Sequence, residues 1–293
     1  QPAIPGYLIY LHQNLLFLPV VHSYQFQMED YEKFLHRREI LRSLREAVSL
    51  GYQGFELYFQ PIVRVKDESL YAAEALLRIH DKNGNFISPA EAIPILEESG
   101  LIIPVGKWII QNAFSMCTEC RKYYPEFRVS INLSYVQILK SPLMMELKQI
   151  IDHSGISCSG IIVELTESGY LEGTPAVRSV WNDMKQLRIQ IALDDFGTGY
   201  SNLMNISNLE PDIVKLDRGF TLKALSRSYE YQLMQYVIEM VHKLNQYVCV
   251  EGVETKEDLE KIKALGPDLI QGYYYSKPCS RDEFLKKFFD YSE

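Results

Sequence analysis

The sequence has no disulfide framework, no dense cationic stretch and no long uninterrupted apolar run. Its five cysteines, Cys117, Cys120, Cys158, Cys249 and Cys279, are odd in number and irregularly spaced. That excludes a stapled secreted scaffold and fits free thiols in a reducing compartment, the cytoplasm. Cys117 and Cys120 stand close together, but without a second Cys or His pair zinc is a weaker reading than helix packing. Lys and Arg number 30 against 38 Asp and Glu, and no basic run is dense enough to track polymeric DNA or RNA. A small anionic ligand stays compatible with this balance, because a few placed cations or bound metals outweigh an acidic average locally. The apolar run LIYLHQNLLFLPVV, residues 8–21, is broken by His12, Gln13 and Asn14. It is too short to span a bilayer, reads as a strand or packing segment, and gives no reason to expect membrane contact by this chain.

With 293 residues, 47% of them hydrophobic, the chain can bury one large core beside a short extra segment. It opens on Gln1 instead of Met, as expected of a piece of a longer protein whose upstream part, a membrane anchor included, lies elsewhere. From Tyr31 to about Leu50, YEKFLHRREILRSLREAVSL places Leu and Ile at helical spacing among charges, which predicts an amphipathic connector helix. Residues 1–50 are therefore read as an N-terminal segment and connector, a possible remnant of an upstream domain, and residues 51–293 as one domain.

In that domain eight β-rich runs alternate with helical patterns: FELYFQPIVRV from Phe55, LYAAEALLRI from Leu70, RVSINLS from Arg128, IIVELTES from Ile161, IQIALDDF from Ile189, DIVKLD from Asp212, YVCVEGVE from Tyr247 and LIQGYYYS from Leu269. Helices are expected at Trp108–Tyr123, Leu143–His153, Tyr229–Asn245 and Lys256–Leu265. So many alternations predict an α/β fold of the (β/α)8, TIM-like barrel type, with an open doubly wound sheet as the alternative. Only Lys66–Ser69 join the first two runs, too few for a crossover helix, so the first strand should be antiparallel to the second.

Barrels of this class build their sites at the carboxyl ends of the strands, and Glu74, Asn132, Glu164, Asp194, Asp195, Lys215 and Glu251 lie within or at the ends of otherwise apolar runs. One buried acid can be a salt-bridged structural residue, but five with a single lysine call for cations. Oxygen ligands without His or Cys favour Mg²⁺ or Mn²⁺, with Ca²⁺ an expected inhibitor, over zinc or copper. Adjacent strand residues point to opposite sides, so Asp194 and Asp195 can share a site only if the strand ends there and Gly197 lets the chain turn. Two ligands at one strand end suit a pair of metals about 4 Å apart.

The runs QPIV, EALLR, EESG, NLS, ELTES, ALDDFGTGYSNL, VKLD, EGVET and QGYYYSKP resemble, in order and approximate spacing, the EAL domain family of cyclic di-GMP phosphodiesterases, over residues 52–292. The resemblance implies that Glu74, Asn132, Glu164, Asp194, Asp195 and Glu251 hold two metals, that Lys215 contacts the attacking water, and that Glu251 is the general base unless the metals alone activate the water. It places Gln60, Arg78 and Gln271 beside the substrate. Arg78 follows Glu74 by four residues and so shares its face of the strand, suited to a phosphate. A structural arginine, and glutamines that merely satisfy backbone groups, are the alternatives. Glu167 and the segment Gly197–Leu203, with Thr198, resemble the family's glutamate-anchored loop, which supports metal ligands and dimer contacts. Glu254 resembles a residue supporting the metal site, the alternative for both glutamates being a solvated acid.

The resemblance implies hydrolysis of cyclic di-GMP to linear pGpG, with slower cleavage to GMP, and a homodimer formed near Gly197–Asn205. Departures, such as Val250 in place of a common Ala, remove no ligand. The competing readings are a receptor that binds cyclic di-GMP without turnover and, more remotely, a metal-assisted enolising barrel with a lysine base.

Overall fold

The computed structural model describes residues 20–166, 174–197 and 209–289. Among these, nine strands form one sheet: β1 (Phe55–Arg64), β2 (Leu70–His80), β3 (Phe86–Ile87), β4 (Arg128–Asn132), β5 (Ile161–Thr166), β6 (Gln190–Phe196), β7 (Ile213–Leu216), β8 (Tyr247–Glu251) and β9 (Leu269–Gln271). The order β1-β9-β8-β7-β6-β5-β4-β2 is closed by the pairing of β1 with β2, giving an eight-stranded barrel. β1 runs antiparallel to both of its neighbours, while β2 and β4 to β9 pair in parallel. The short link at residues 66–69 thus makes a hairpin, as its length dictates, and helices lie between β3 and β4, β4 and β5, β5 and β6, β7 and β8, and β8 and β9. The two-residue β3 pairs with β2 outside the barrel. It is too short to leave a period in the sequence.

All eight runs are barrel strands, with different ends. The last stops at Gln271, and a Cβ at position 272 would lie 2.0 Å from the Val253 carbonyl oxygen. Gly272 lets that end of β9 lie against the turn after β8. The helix expected from Trp108 starts at Ile102, and the connector expected from Tyr31 starts at Val20. Val20 and Val21, read as part of an apolar strand or packing segment, are therefore helical, and the rest of that segment lies outside the described residues.

Period-two alternation divides the strand residues between two cores. Val129, Ile131, Val163, Ile191, Leu193, Val214, Leu216, Val248, Val250 and Ile270 face outward and pack with the surrounding helices. Ile62, Ala72, Ile162, Ala192, Ile213, Cys249 and Leu269 fill the inside together with Tyr71. The next inward position on each strand is polar, so a polar layer rests on an apolar plug. Ile40 and Leu44 of the connector join Phe55, Leu77, Ile79 and Leu96 in a third cluster, and burial of two such side chains is worth about 1.5–3 kcal/mol each. Cys117 and Cys120 are buried free thiols in the outer core; burial pushes Cys117 up to about 12 and raises Cys120 as well. Packing is their role here. No described helix is long and apolar enough to cross a membrane.

Candidate active site

The polar layer lies toward the carboxyl ends of the parallel strands. Two residues beyond the plug, the alternation brings Gln60, Glu74, Ser130, Glu164, Asp194, Lys215, Glu251 and Gln271 inward from eight different strands. Lys215 is at the centre, 2% exposed. Its Nζ lies 2.7 Å from Glu164, 2.8 Å from Glu251, 3.4 Å from Asp194 and 3.5 Å from Glu74. Burial alone would depress the ammonium, but Asp194, Glu164, Glu251 and Glu74 override it and hold it well above the ordinary lysine range.

The acids divide according to their donors. Burial works to raise Glu74, but Lys215 and hydrogen bonds donated by Gln271 Nε2 (2.6 Å) and Asn132 Nδ2 (2.7 Å) leave it below the usual range. Glu164 is driven well up by burial and by Glu74, although Ser130 Oγ donates to it at 2.5 Å. Burial pushes Glu251 up to about 8, against the pull of Lys215. Half-buried Asp195 rises to about 6 through burial and the neighbouring Asp194 and Asp217.

Asp195 enters the site by a route different from the expected strand end. β6 continues to Phe196, but its register with β7 shifts between Leu193 and Phe196, and Asp195 adopts φ 60°. This bulge rotates Asp195 out of alternation, so that consecutive acids serve one mouth. Gly197 follows at φ 107°, where an added Cβ would lie 2.9 Å from the Phe220 ring. Backbone conformation and close packing both require glycine there.

Gln60 accepts a hydrogen bond from Gln271 at 3.2 Å and lies directly across from Glu74. Arg78 is two inward steps beyond Glu74, where its guanidinium stacks over Tyr58 at 5.4 Å and donates to its own Leu77 carbonyl at 2.9 Å. Glu254 is outside the cluster. Arg218 holds it on the surface with donors at 2.7 and 3.1 Å, since it lies beyond the end of β8. Glu167 and Thr198, with the proposed dimer segment beyond Gly197, lie outside the described residues. Ser130 is a site residue that the sequence does not single out; its one signal is the two-residue spacing to Asn132 on an apolar strand.

Among the described residues no three acids, histidines or cysteines converge in a position to hold one metal ion; the Lys215 ammonium stands at the point of convergence. The chemistry of the donors nevertheless fits hard cations. They are oxygen ligands, five carboxylates against one ammonium, and two of the acids reach neutral pH protonated in part. Asp194 Oδ1 is also buried without a hydrogen-bond donor, 3.4 Å from Lys215 Nζ. Surplus negative charge with an unused oxygen is the condition that a divalent cation relieves.

An eight-stranded mixed barrel with an acid-lined mouth defines the architectural class, and comparison with known proteins defines the family. The EAL domain family profile matches residues 41–278, and the chain belongs to that family. Cyclic di-GMP phosphodiesterase PdeF of Escherichia coli (strain K12) is 31% identical over 230 residues, covering 78% of this chain and 30% of PdeF. Cyclic di-GMP phosphodiesterase PA2567 of Pseudomonas aeruginosa is 31% identical over 239 residues, 82% of this chain and 40% of that protein. Among solved structures, the EAL enzyme Bd1971 in its cAMP and cyclic-di-GMP bound form matches with TM-score 0.84 at 27% identity, over 97% of this chain and 76% of that one. The PaMucR phosphodiesterase complex with c-di-GMP matches with TM-score 0.78 at 27% identity, over 84% of this chain and all of that one. The chain spans 30–40% of the length of the curated relatives it matches.

Proposed function

We propose that this chain hydrolyses one phosphodiester bond of cyclic di-GMP to give linear pGpG, using two divalent cations, Mg²⁺ or Mn²⁺. Glu74, Asn132, Glu164, Asp194, Asp195 and Glu251 would hold the cations. When bound, such ions polarise a phosphoryl oxygen and acidify the attacking water. The observation that carries the reading is the convergence of four carboxylates on one buried ammonium at the mouth of a barrel of the EAL family.

Each residue then has a task set by its surroundings. Lys215, held protonated, orients water by donation and meets negative charge as it develops on oxygen. Glu251 is the candidate general base once a bound cation favours its carboxylate form, unless the cations alone activate the water. Gln271 and Asn132 fix the Glu74 carboxylate by donating to its two oxygens. Arg78, at the mouth and stacked on Tyr58, is placed to engage a substrate phosphate, with Gln60 and Gln271 below it. The protein acts as a homodimer inside the cell, through the segment beyond Gly197.

The test is turnover of cyclic di-GMP by the purified chain with Mg²⁺ or Mn²⁺, resolved by product chromatography beside Glu74→Ala. Linear pGpG from the wild type alone supports the reading. Metal-dependent binding without product replaces it with a receptor.

A further inference from the structure

Of the nine sequence runs, EESG, Glu97 to Gly100, is the one that supplies no member of the acid cluster. Its three side chains are nevertheless all committed. Glu97 Oε1 accepts from the Ser134 hydroxyl at 2.7 Å, a contact between segments 37 residues apart. Glu98 pairs with Arg37 of the connector helix at 2.5 Å, and Ser99 donates back to the Ile95 carbonyl at 2.7 Å. The helix that ends here, Pro89–Ser99, buries Ala92, Ile95 and Leu96 in the cluster it shares with Ile40 and Leu44 of the connector. Glu97 is therefore half-buried on a firmly mounted helix, and its carboxylate is delivered to Ser134 from a fixed place.

Ser134 lies two residues after Asn132 and caps the short helix Tyr135–Lys140. Its hydroxyl oxygen accepts from the Val136 amide at 3.1 Å, and Gln137 Oε1 accepts from its own amide at 3.1 Å. A serine hydroxyl has a single proton. Glu97 takes it, which fixes the rotor and leaves the lone pairs for the Val136 amide, and a hydrogen bond to a carboxylate is stronger than one to a neutral acceptor. Between the two residues the Leu133 amide donates to the Glu164 carbonyl at 3.0 Å. Asn132 itself is exposed, so packing does not set its direction. Its backbone is instead tied on one side to β5 and on the other, through Ser134, to Glu97, and from that position its Nδ2 reaches Glu74 at 2.7 Å.

We propose that Glu97 is a positioning residue for Asn132. Through the Ser134 hydroxyl it holds the exit of β4 in place, and with it the amide that Asn132 offers to Glu74 and, by its oxygen, to a cation. Groups that orient a ligand without touching the metal govern affinity because the ligand otherwise samples directions that miss the ion. The effect on a cation rests on the function proposed above; the hold on Asn132 does not.

The experiment follows the Asn132 side-chain amide by NMR in the chelator-treated chain, its resonance identified with Asn132→Asp, and then titrates each protein with Mn²⁺ by calorimetry. Wild type, Glu97→Leu, Glu97→Gln, Ser134→Ala and the Glu97→Leu/Ser134→Ala double variant are compared. Glu97→Leu should shift the Asn132 amide and weaken Mn²⁺ binding about tenfold. Glu97→Gln still accepts the hydroxyl proton and should stay within about threefold of the wild type, whereas a role confined to stability would move neither the amide nor the affinity. Glu97→Leu should add nothing once Ser134→Ala has removed its partner. Ser134→Ala breaks the same bond from the other side, so the test stays decisive if Glu97→Leu does not fold. An Asn132 amide unmoved by loss of this bond, Glu97→Gln failing as badly as Glu97→Leu, or additive effects in the double variant overturns the proposal. A wild type that binds no Mn²⁺, or binds it equally well after Glu74→Ala, contradicts the cation reading instead, and the amide shifts still decide the role of Glu97.

Discussion

Replacement of Lys215 by methionine removes the one cation that four buried acids share while nearly preserving side-chain volume. In the wild type its Nζ is within 2.7–3.5 Å of Glu164, Glu251, Asp194 and Glu74. Breaking a buried ion pair from one side costs about 3–5 kcal/mol, because the remaining charge is left uncompensated. In Lys215→Met the carboxyl groups titrate in the folded state well above their unfolded values, so folding takes up protons. Stability is then retained at low pH and lost as pH rises through the raised folded values. The predicted loss is about 3–5 kcal/mol at pH 8 and smaller at pH 5. Urea unfolding of chelator-treated protein, followed by fluorescence of Trp108 and Trp181, measures it. A loss below about 1 kcal/mol at pH 8, or one equally large at pH 5, would refute the view that Lys215 neutralises this cluster.

Three further outcomes follow from neighbouring residues. In metal-free wild type, Glu251 and Asp195 stand above the ordinary carboxylate range, near 8 and 6. The melting temperature should therefore fall between about pH 4.5 and pH 8, with Mn²⁺ reducing the fall; a flat profile by scanning calorimetry contradicts this. Ser130→Ala leaves a Glu164 oxygen without its hydroxyl donor, a predicted loss of about 1–3 kcal/mol in urea unfolding, and an unchanged midpoint would show that the oxygen needs no donor. Gly197→Ala meets both the positive φ and the Phe220 ring, so it should cost about 1–3 kcal/mol and displace Asp195. If it matches the wild type in midpoint and in Mn²⁺ affinity, the bulge is not constrained as argued.

Much of the barrel was legible because one rule served six of the eight barrel strands, β2 and β5 to β9. A small or apolar inward residue is followed two positions later by a polar one, as in Ile162 and Glu164, Ala192 and Asp194, or Ile213 and Lys215, so strand, facing and site appear in the same short run. The hairpin was legible from a link too short for a helix. Departures from alternation were not. Asp195 reaches the mouth through a bulge whose φ of 60° has no signature beyond the following glycine, and Ser130 passes for an ordinary polar strand residue until Glu164 is seen beside it. Glu254, read as supporting the metal site or as a solvated acid, is held by Arg218 outside the cluster, a turn that motif proximity to Glu251 does not encode.

The most direct test of the central claim is the rate at which the purified chain converts cyclic di-GMP to linear pGpG with Mn²⁺ or Mg²⁺, compared with Glu74→Ala and with chelator. Metal-dependent product from the wild type alone is the predicted result. Stoichiometric, metal-dependent binding of cyclic di-GMP with no product in the wild type would contradict it.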